Sequence, residues 1–375
     1  MKHRPIKASI LTHNLSHNLS RVKNMTNSAP TWAVVKANAY GHGLEPALKA
    51  FRESEGIALL DLEHAALARD LGWVGRILLL EGVFAEADYD DAVNISCEIV
   101  IHHEQQITWL IQWLGKQGPQ KAAELLAKCP IWLKLNSGMN RLGFKSAQYG
   151  VSYEILTQIG CTVHHLTHFA NADDPQIFPS VQDQWEIFSK ATLYVDGLKS
   201  AANSAAIIGY SFTHADMTRP GIMLYGASPS GNYQDIADLD LKAGMNLRSE
   251  IIALQELQTG DTVGYGSQYV APKNTKIAVI ACGYADGYPR SAPNGTPVWV
   301  GKAENILDGQ IAPIVGRVSM DMMMIDVSNI SHAHIGSPVE LWGELNPIDD
   351  GALPAKTVGY ELMCGLTNRV KQEIL

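Results

Sequence analysis

The sequence predicts an α/β protein: an N-terminal (β/α)8 TIM-type barrel over residues 1–235, followed by a C-terminal, mostly antiparallel β domain over 236–375. Two textures predict this. Up to about residue 230, short apolar runs alternate with amphipathic, helix-like stretches, and eight such beats fit a parallel barrel. Beyond about residue 235 the alternation stops, and short β-rich runs are separated by Gly, Asn, Asp and Pro.

The eight runs are TWAVVK (31–36), IALLD (57–61), RILLLE (76–81), CEIVIH (97–102), IWLKLN (131–136), VHHLTHF (163–169), LKSAAN (198–203) and a weaker one at MTRPGIM (217–223). Between them lie segments such as LEHAALARDLG (62–72) and EQQITWLIQWLG (104–115), with apolar residues at helical spacing. An open doubly wound sheet alternates in the same way, but its best support, a GxGxxG after the first strand, is missing. In the second part SEIIALQEL (249–257), TKIAVIACG (275–283), TPVWVG (296–301), QIAPIVGRVS (310–319), MMMIDVSN (322–329) and PVELWGE (338–344) read as strands. One helix is expected near TVGYELMCGL (357–366).

Composition narrows the function classes. The chain is 46% hydrophobic and 18% charged, an ordinary globular balance, and its 375 residues allow two domains. A formal charge of −9 leaves no basic stripe for nucleic acid. No segment approaches the ~18 continuous apolar residues of a membrane span, so no membrane partner is expected. The N-terminal MKHRPIKASILTHNLSHNLS has basic residues but no apolar core of a signal peptide. The five cysteines are odd in number, widely spaced and form no CxxC, which reads as reduced thiols in a cytoplasmic protein. No metal site is expected.

In a barrel the working residues sit at the C-terminal strand ends. Lys36 follows the first run, Asn136 the fifth, His168 the sixth and Ser204 the seventh, and the eighth supplies Arg219 before Pro220-Gly221-Ile222. Barrel phosphate sites commonly use the loops after the last two strands and a helix N-terminus, where free N–H groups meet the anion. Ser204 and Gly221-Ile222 fit that description. A lysine and a phosphate site in one mouth point to a Schiff-base cofactor, pyridoxal phosphate. Each residue also has a plainer reading. Lys36 alone is a rim lysine, His168 a core histidine, Arg219 half of a salt bridge and Ser204 a helix N-cap.

Nine stretches, in order from residue 31 to 370, resemble the alanine racemase family of fold-type III pyridoxal-phosphate enzymes. They are AVVKANAYGHG, WLKLNSGMNRLGF, LTHFANADD, SAANSAA, MTRPGIMLYG, VGYGSQY, CGYADGYPR, GRVSMDMMMIDV and GYELMCGLTNRV. The resemblance implies interconversion of L- and D-alanine by a cytoplasmic homodimer with shared active sites. It implies that Lys36 holds the cofactor covalently. Tyr40, Ser204, Gly221, Ile222 and Tyr360 match phosphate-binding groups. Arg219 matches the arginine at the pyridine nitrogen, His168 its hydrogen-bonding neighbour, and Arg141 the arginine beside the phenolic oxygen. Tyr265 matches the second catalytic base and Met320 a residue whose backbone holds the substrate carboxylate, both supplied by the partner subunit. Lys134 matches a lysine that is carbamylated in many members. Asn136-Ser137 replaces the more common Asp-Thr, and Gly359 stands before Tyr360 where proline is more usual.

Racemisation removes a Cα proton on one face and returns one on the other, so two bases are needed. The resemblance gives Lys36 the D-enantiomer's proton and Tyr265 the L-enantiomer's. A phenol with a pKa of about 10 is a poor base at neutral pH, and nearby cations such as Arg141 favour the phenolate. An arginine at the ring nitrogen keeps its own protons, so the ring is a restrained electron sink. Tyr284, in CGYADGY, reads equally as an entrance-narrowing side chain and as a packed aromatic. Related layouts differ in the residues themselves. Fold-III decarboxylases carry a GGG phosphate loop and an acidic ring-nitrogen partner, pyridoxal-phosphate carriers lack the β domain, and broad-specificity racemases of this fold are typically exported.

Overall fold

The structure, a computed structural model, describes residues 4–375. It forms two compact units, one of Leu19–Ala39 and Ala47–Gly221, the other of the residues up to Asn18, Tyr40–Pro46 and Ile222–Leu375. The first strand, β1 (Lys7–Ile10), belongs to the second of these, and the helix Thr12–Met25 follows it.

The first unit is the barrel. Its strands are β2 (Trp32–Val34), β3 (Gly56–Leu59), β4 (Arg76–Leu79), β5 (Glu98–Ile101), β6 (Ile131–Lys134), β7 (Val163–Leu166) and β8 (Lys199–Ser200). They run parallel and pair in chain order. Ile77-Leu78-Leu79 and Ile99-Val100-Ile101 are fully buried, the continuous apolar pattern of strands covered on both faces. The eighth position is filled by residues 217–220, which make ladder bonds without forming a regular strand. Met217 bridges Ser200 and Thr218 bridges Thr31. Trp32 N–H donates to Thr218 O at 2.9 Å and Val34 N–H to Pro220 O at 3.1 Å, closing the ring. Pro220 has no N–H to extend the ladder, which is why this run was weak in sequence and short in the structure. The stretch between β5 and β6 holds two helices, Glu104–Lys116 and Pro119–Lys128, where the sequence showed one. Gln117 and Gly118 separate them, and Pro119 opens the second.

The N-terminal strand ends are closed by a polar plug. Arg76 forks onto Glu98, with Nη2 to Oε2 at 2.8 Å, and lies 4.8 Å over the Trp32 ring. Trp132 Nε1 donates to the same carboxylate at 2.6 Å, so the buried charges are paired and hydrogen-bonded. In a barrel that end carries stability rather than chemistry.

The second unit is built on β9 (Met245–Leu257), a long strand that pairs with two different sets of neighbours. β10 (Thr262–Val263) and β11 (Tyr269–Val270) make a small hairpin around Tyr265. β12 (Thr275–Ile280), β13 (Pro297–Lys302), β14 (Asn305–Pro313), β15 (Met323–Asp326), β16 (Pro338–Trp342) and β17 (Lys371–Ile374) complete it. One path runs β14-β13-β16-β9-β1-β17, while β12 joins the far half of β9 to β15. All of these pairs are antiparallel except β1 with β17. The expected helix near the end is Gly359–Cys364. Among the described residues no helix is long and apolar enough to cross a membrane.

Candidate active site

The strand ends of the barrel gather the expected side chains. Lys36 lies two residues past β2, Lys134 ends β6, His168 lies two residues past β7, and Arg219 sits in the closing segment. Ser204 opens the helix Ser204–Gly209, but the N-cap is Asn203, whose Oδ1 accepts from Ala206 N–H at 3.0 Å. The Ser204 hydroxyl instead accepts the Gly221 N–H at 2.9 Å, tying the seventh and eighth loops together.

Lys36 begins a strained turn. Ala37, Asn38, Ala39 and Tyr40 all have φ between 52° and 54°, a left-handed turn in which only asparagine is at ease. Such strain of about 1–2 kcal/mol per residue persists only where the surroundings fix it. Gly41 ends the turn, and a Cβ there would lie 2.1 Å from Met363 O. His42 is fully buried, and its ring is 2.9 Å from Tyr40 O. A carbonyl only accepts, so Nδ1–H is the donor.

Arg219 is buried, and no carboxylate touches it among the described residues. Nη1 donates to Ser200 Oγ at 2.6 Å, and Nη2 to Thr167 O at 2.5 Å and Ala201 O at 3.1 Å. The salt-bridge reading of this arginine therefore fails. Among the described residues Arg219 has no hydrogen bond to His168, and on that loop it is the Thr167 carbonyl that accepts from it. Burial pushes the Arg219 guanidinium down to about 9. Burial, then Arg219 and Arg141, push Lys134 down to about 8, with Glu81 pulling it the other way. Burial, then Arg219, Lys134, Arg141 and Lys36, hold the His168 imidazole well below its usual range.

The two replaced positions in the fifth loop have partners. Asn136 Oδ1 accepts from Gly138 N–H at 3.1 Å and Asn140 N–H at 3.0 Å. Ser137 is buried and its hydroxyl lies 2.7 Å from that of Thr167. Asn136 N–H to Phe144 O and Phe144 N–H to Lys134 O, both 2.9 Å, close the loop that carries Arg141. Lys134, Asn136, Arg141 and His168 line one small cavity.

In the second unit the Tyr40 ring packs against Tyr225, at 4.6 Å, and Tyr360, at 5.8 Å, tilted to both. Burial raises the Tyr40 phenol well above its usual value, so it stays a neutral donor. Tyr225, which also meets His42 at 4.7 Å, went unread in the sequence because nothing in MTRPGIMLYG marks it as a packing partner of Tyr40. Ile222 is fully buried at the head of a short 3-10 turn. Gly359 is tightly packed: an added Cβ would lie 3.2 Å from Ala227, Ile348 and Asp349. Tyr265, at the head of a short 3-10 turn, and Met320, in a bend, are 71% and 52% exposed. Tyr284 is partly exposed, at the head of a one-turn helix.

The barrel donor set suits pyridoxal phosphate. Four cations crowd one mouth, and the Ser204 hydroxyl and Gly221 N–H meet where the seventh and eighth loops join. The family models for the N-terminal and C-terminal domains of alanine racemase match residues 10–229 and 244–374. An alanine racemase of Burkholderia mallei (strain SAVP1) is 46% identical over 370 residues, covering 98% of each chain. One from Janthinobacterium sp. (strain Marseille) is 47% identical over 372 residues, also 98% of each. The solved alanine racemase of Acinetobacter baumannii superposes with a TM-score of 0.91 at 40% identity, covering all of both chains. A likeness that spans both units at this identity leaves one assignment: the chain belongs to the alanine racemase family.

Proposed function

We infer that this protein is a pyridoxal-phosphate-dependent alanine racemase. The observation that carries the reading is the cation cluster of Lys36, Lys134, Arg141 and Arg219 at the C-terminal strand ends of a barrel whose relatives are alanine racemases. When bound, the cofactor withdraws electrons from the substrate's Cα–H bond.

The chain's own groups do the rest. Lys36 is the covalent anchor and, once released by substrate, the base on one face. Tyr265 of the partner subunit is the base on the other face. Tyr40, Ser204, Gly221, Ile222 and Tyr360 are the phosphate-holding groups. Arg219 would donate to the cofactor's ring nitrogen and, being unable to give up its charge at neutral pH, would leave that nitrogen without a proton. Arg141 would hold the cofactor's phenolic oxygen and help hold substrate, and the backbone of Met320 of the partner subunit would receive the carboxylate. His168, kept neutral by burial and four cations, adds no competing charge. Lys134 is the residue that takes up carbon dioxide as a carbamate.

The working form is a homodimer in the cytoplasm. High exposure of Tyr265 and Met320 suits side chains that a second subunit covers, and among the described residues none of the five cysteines is in a disulfide. Three measurements test the reading. Borohydride reduction of the protein loaded with pyridoxal phosphate should fix the cofactor on the Lys36 peptide. Alanine should be racemised faster than serine or lysine. Mixed Lys36→Ala and Tyr265→Phe variants, each inactive, should regain activity through subunit exchange. A protein that takes up no cofactor, or prefers lysine, overturns the reading, and absence of complementation overturns the shared site.

A further inference from the structure

The loop that presents Met320 is held from behind by a buried anion. Asp286 is fully buried, although its neighbours lie in a surface turn. Its two oxygens accept a fork from Arg4, at 2.5 and 2.8 Å. Oδ2 also accepts the Gly283 N–H at 2.9 Å, and Arg369 Nε stands 3.5 Å from Oδ1. Both arginines then reach the next loop. Arg4 Nη2 donates to Asp321 O at 2.5 Å, and Arg369 Nη2 to Asp321 Oδ1 at 2.6 Å. One carboxylate is thus shared by arginines from opposite ends of the chain, and both grip Asp321.

The grip fixes two peptide planes. Tyr284 N–H donates to Ser319 O, and Ala285 N–H to Met320 O, each at 3.0 Å. In a trans peptide the N–H points opposite to the carbonyl. The Met320 N–H therefore points away from Tyr284, and the Asp321 N–H away from Ala285. Among the described residues neither N–H has an acceptor. Gly283 permits the close approach, since a Cβ there would lie 2.4 Å from both carbonyl oxygens. Adjacent outward N–H groups with no acceptor form an anion-binding feature.

We propose that Asp286, clamped by Arg4 and Arg369, is the positioning residue that aims the Met320 backbone at the substrate carboxylate. This rests on the racemase reading above. Asp286 touches no substrate and acts through residues 283–285. The clamp needs an arginine because one planar group must reach both the Asp286 carboxylate and the Asp321 carbonyl.

The test uses full-length protein loaded with pyridoxal phosphate, as wild type, Arg4→Ala, Arg4→Lys and Asp286→Asn. In Arg4→Ala, KM for alanine should rise about tenfold with kcat within about twofold, and cofactor affinity should be unchanged. Titration calorimetry with propionate, which keeps the carboxylate and lacks the amine, should show the same loss without turnover. Arg4→Lys should recover part of both. If Asp286→Asn does not fold, Arg4→Ala, at an exposed residue, still decides. A fall in Tm with KM and propionate affinity unchanged overturns the proposal alone. A wild type that takes up no cofactor and leaves alanine unchanged overturns the racemase reading and this proposal with it.

Discussion

Arg219 Nη1 donates to the Ser200 hydroxyl at 2.6 Å, so the innermost cation of the barrel mouth is held by neutral oxygens and not by a carboxylate. Its other bonds go to the carbonyls of Thr167 and Ala201. Three acceptors from two strand ends fix the plane of the guanidinium while its charge stays uncompensated. That is a costly arrangement for stability and a useful one for polarising a bound ring.

Stability and charge at this position should separate. Arg219→Ala removes the donor to two buried carbonyls but also the buried, uncompensated charge, so the two effects oppose and the unfolding free energy of the cofactor-free protein should fall by less than about 3 kcal/mol. Arg219→Gln keeps an amide with two N–H donors and should cost about 1 kcal/mol, yet it removes the charge. If charge is what serves the reaction, Arg219→Gln should still lose at least about tenfold in racemisation. Urea melts and alanine kinetics on both variants check this. A fully active Arg219→Gln would refute the role of the charge.

Lys134 predicts a pH dependence on the alkaline side. Its amine is pushed down to about 8 from an unfolded value of 10.5, mainly by burial and then by Arg219 and Arg141. Between these values the unfolded chain binds a proton that the folded one lacks, so stability rises with pH across that window. Below about 8 the full penalty applies, on the order of 3 kcal/mol. Lys134→Met in carbon-dioxide-free buffer should therefore be the more stable protein at pH 7, and the two should converge toward pH 10. The same shift leaves about one amine in ten neutral at pH 7. That neutral nitrogen attacks the carbon of carbon dioxide and sheds a proton, giving an anion close to Arg141. With 13C-bicarbonate, wild type should show a carbamate carbon signal that Lys134→Met lacks.

Much of this was legible in sequence because it is written in period and order. The barrel beat, the strand-end positions of Lys36, His168, Ser204 and Arg219, and the change of texture after the barrel all follow from local patterns. What was not legible depends on long-range meetings. Asp286 reads as an ordinary turn residue until Arg4 and Arg369 arrive from the chain ends. Ala37 and Ala39 give no sign of a left-handed turn, because alanine prefers the right-handed one. LKSAAN shrank to the two-residue β8, since the polar and small residues after Ser200 carry loop bonds instead of ladder bonds.

On the acid side the barrel histidines should dominate. Burial lowers His102, His164 and His165, and burial with four cations lowers His168 further. His165 is satisfied as a neutral ring: Nε2–H donates to Asp196 O at 2.9 Å, and Nδ1 accepts from the Tyr149 hydroxyl at 2.6 Å. Their stabilisation is present above the unfolded value of about 6.5 and is lost as pH falls below it. Each contributes a slope of up to about 1.4 kcal/mol per pH unit. Asp349, raised to about 6 by burial, and Asp350, also raised by burial, work in the opposite sense on the acid side, as two groups against four. The cofactor-free protein should lose stability from pH 6.5 to 5, and His168→Gln should shallow the slope by about one proton. A flat profile would contradict the neutral assignment.

His42, which no sequence argument could employ, should prove to be the lock on the lysine turn. The turn that starts at Lys36 holds four successive residues in a conformation they resist, and something downstream must keep it wound. His42 does this by donating Nδ1–H to Tyr40 O at 2.9 Å and by packing its ring 4.7 Å from Tyr225, which itself packs against Tyr40. His42→Phe keeps a ring and loses the donor, whereas His42→Asn keeps a donor at the same reach and loses the ring. If the hydrogen bond is the lock, His42→Phe should take up pyridoxal phosphate several-fold more slowly, with a stability loss of about 1 kcal/mol, and His42→Asn should remain close to wild type in uptake. Rapid-mixing absorbance on cofactor addition, set beside thermal melts, measures both. Equal slowing in the two variants would assign the lock to the ring stack, and uptake at the wild-type rate in both would show that the turn holds without His42.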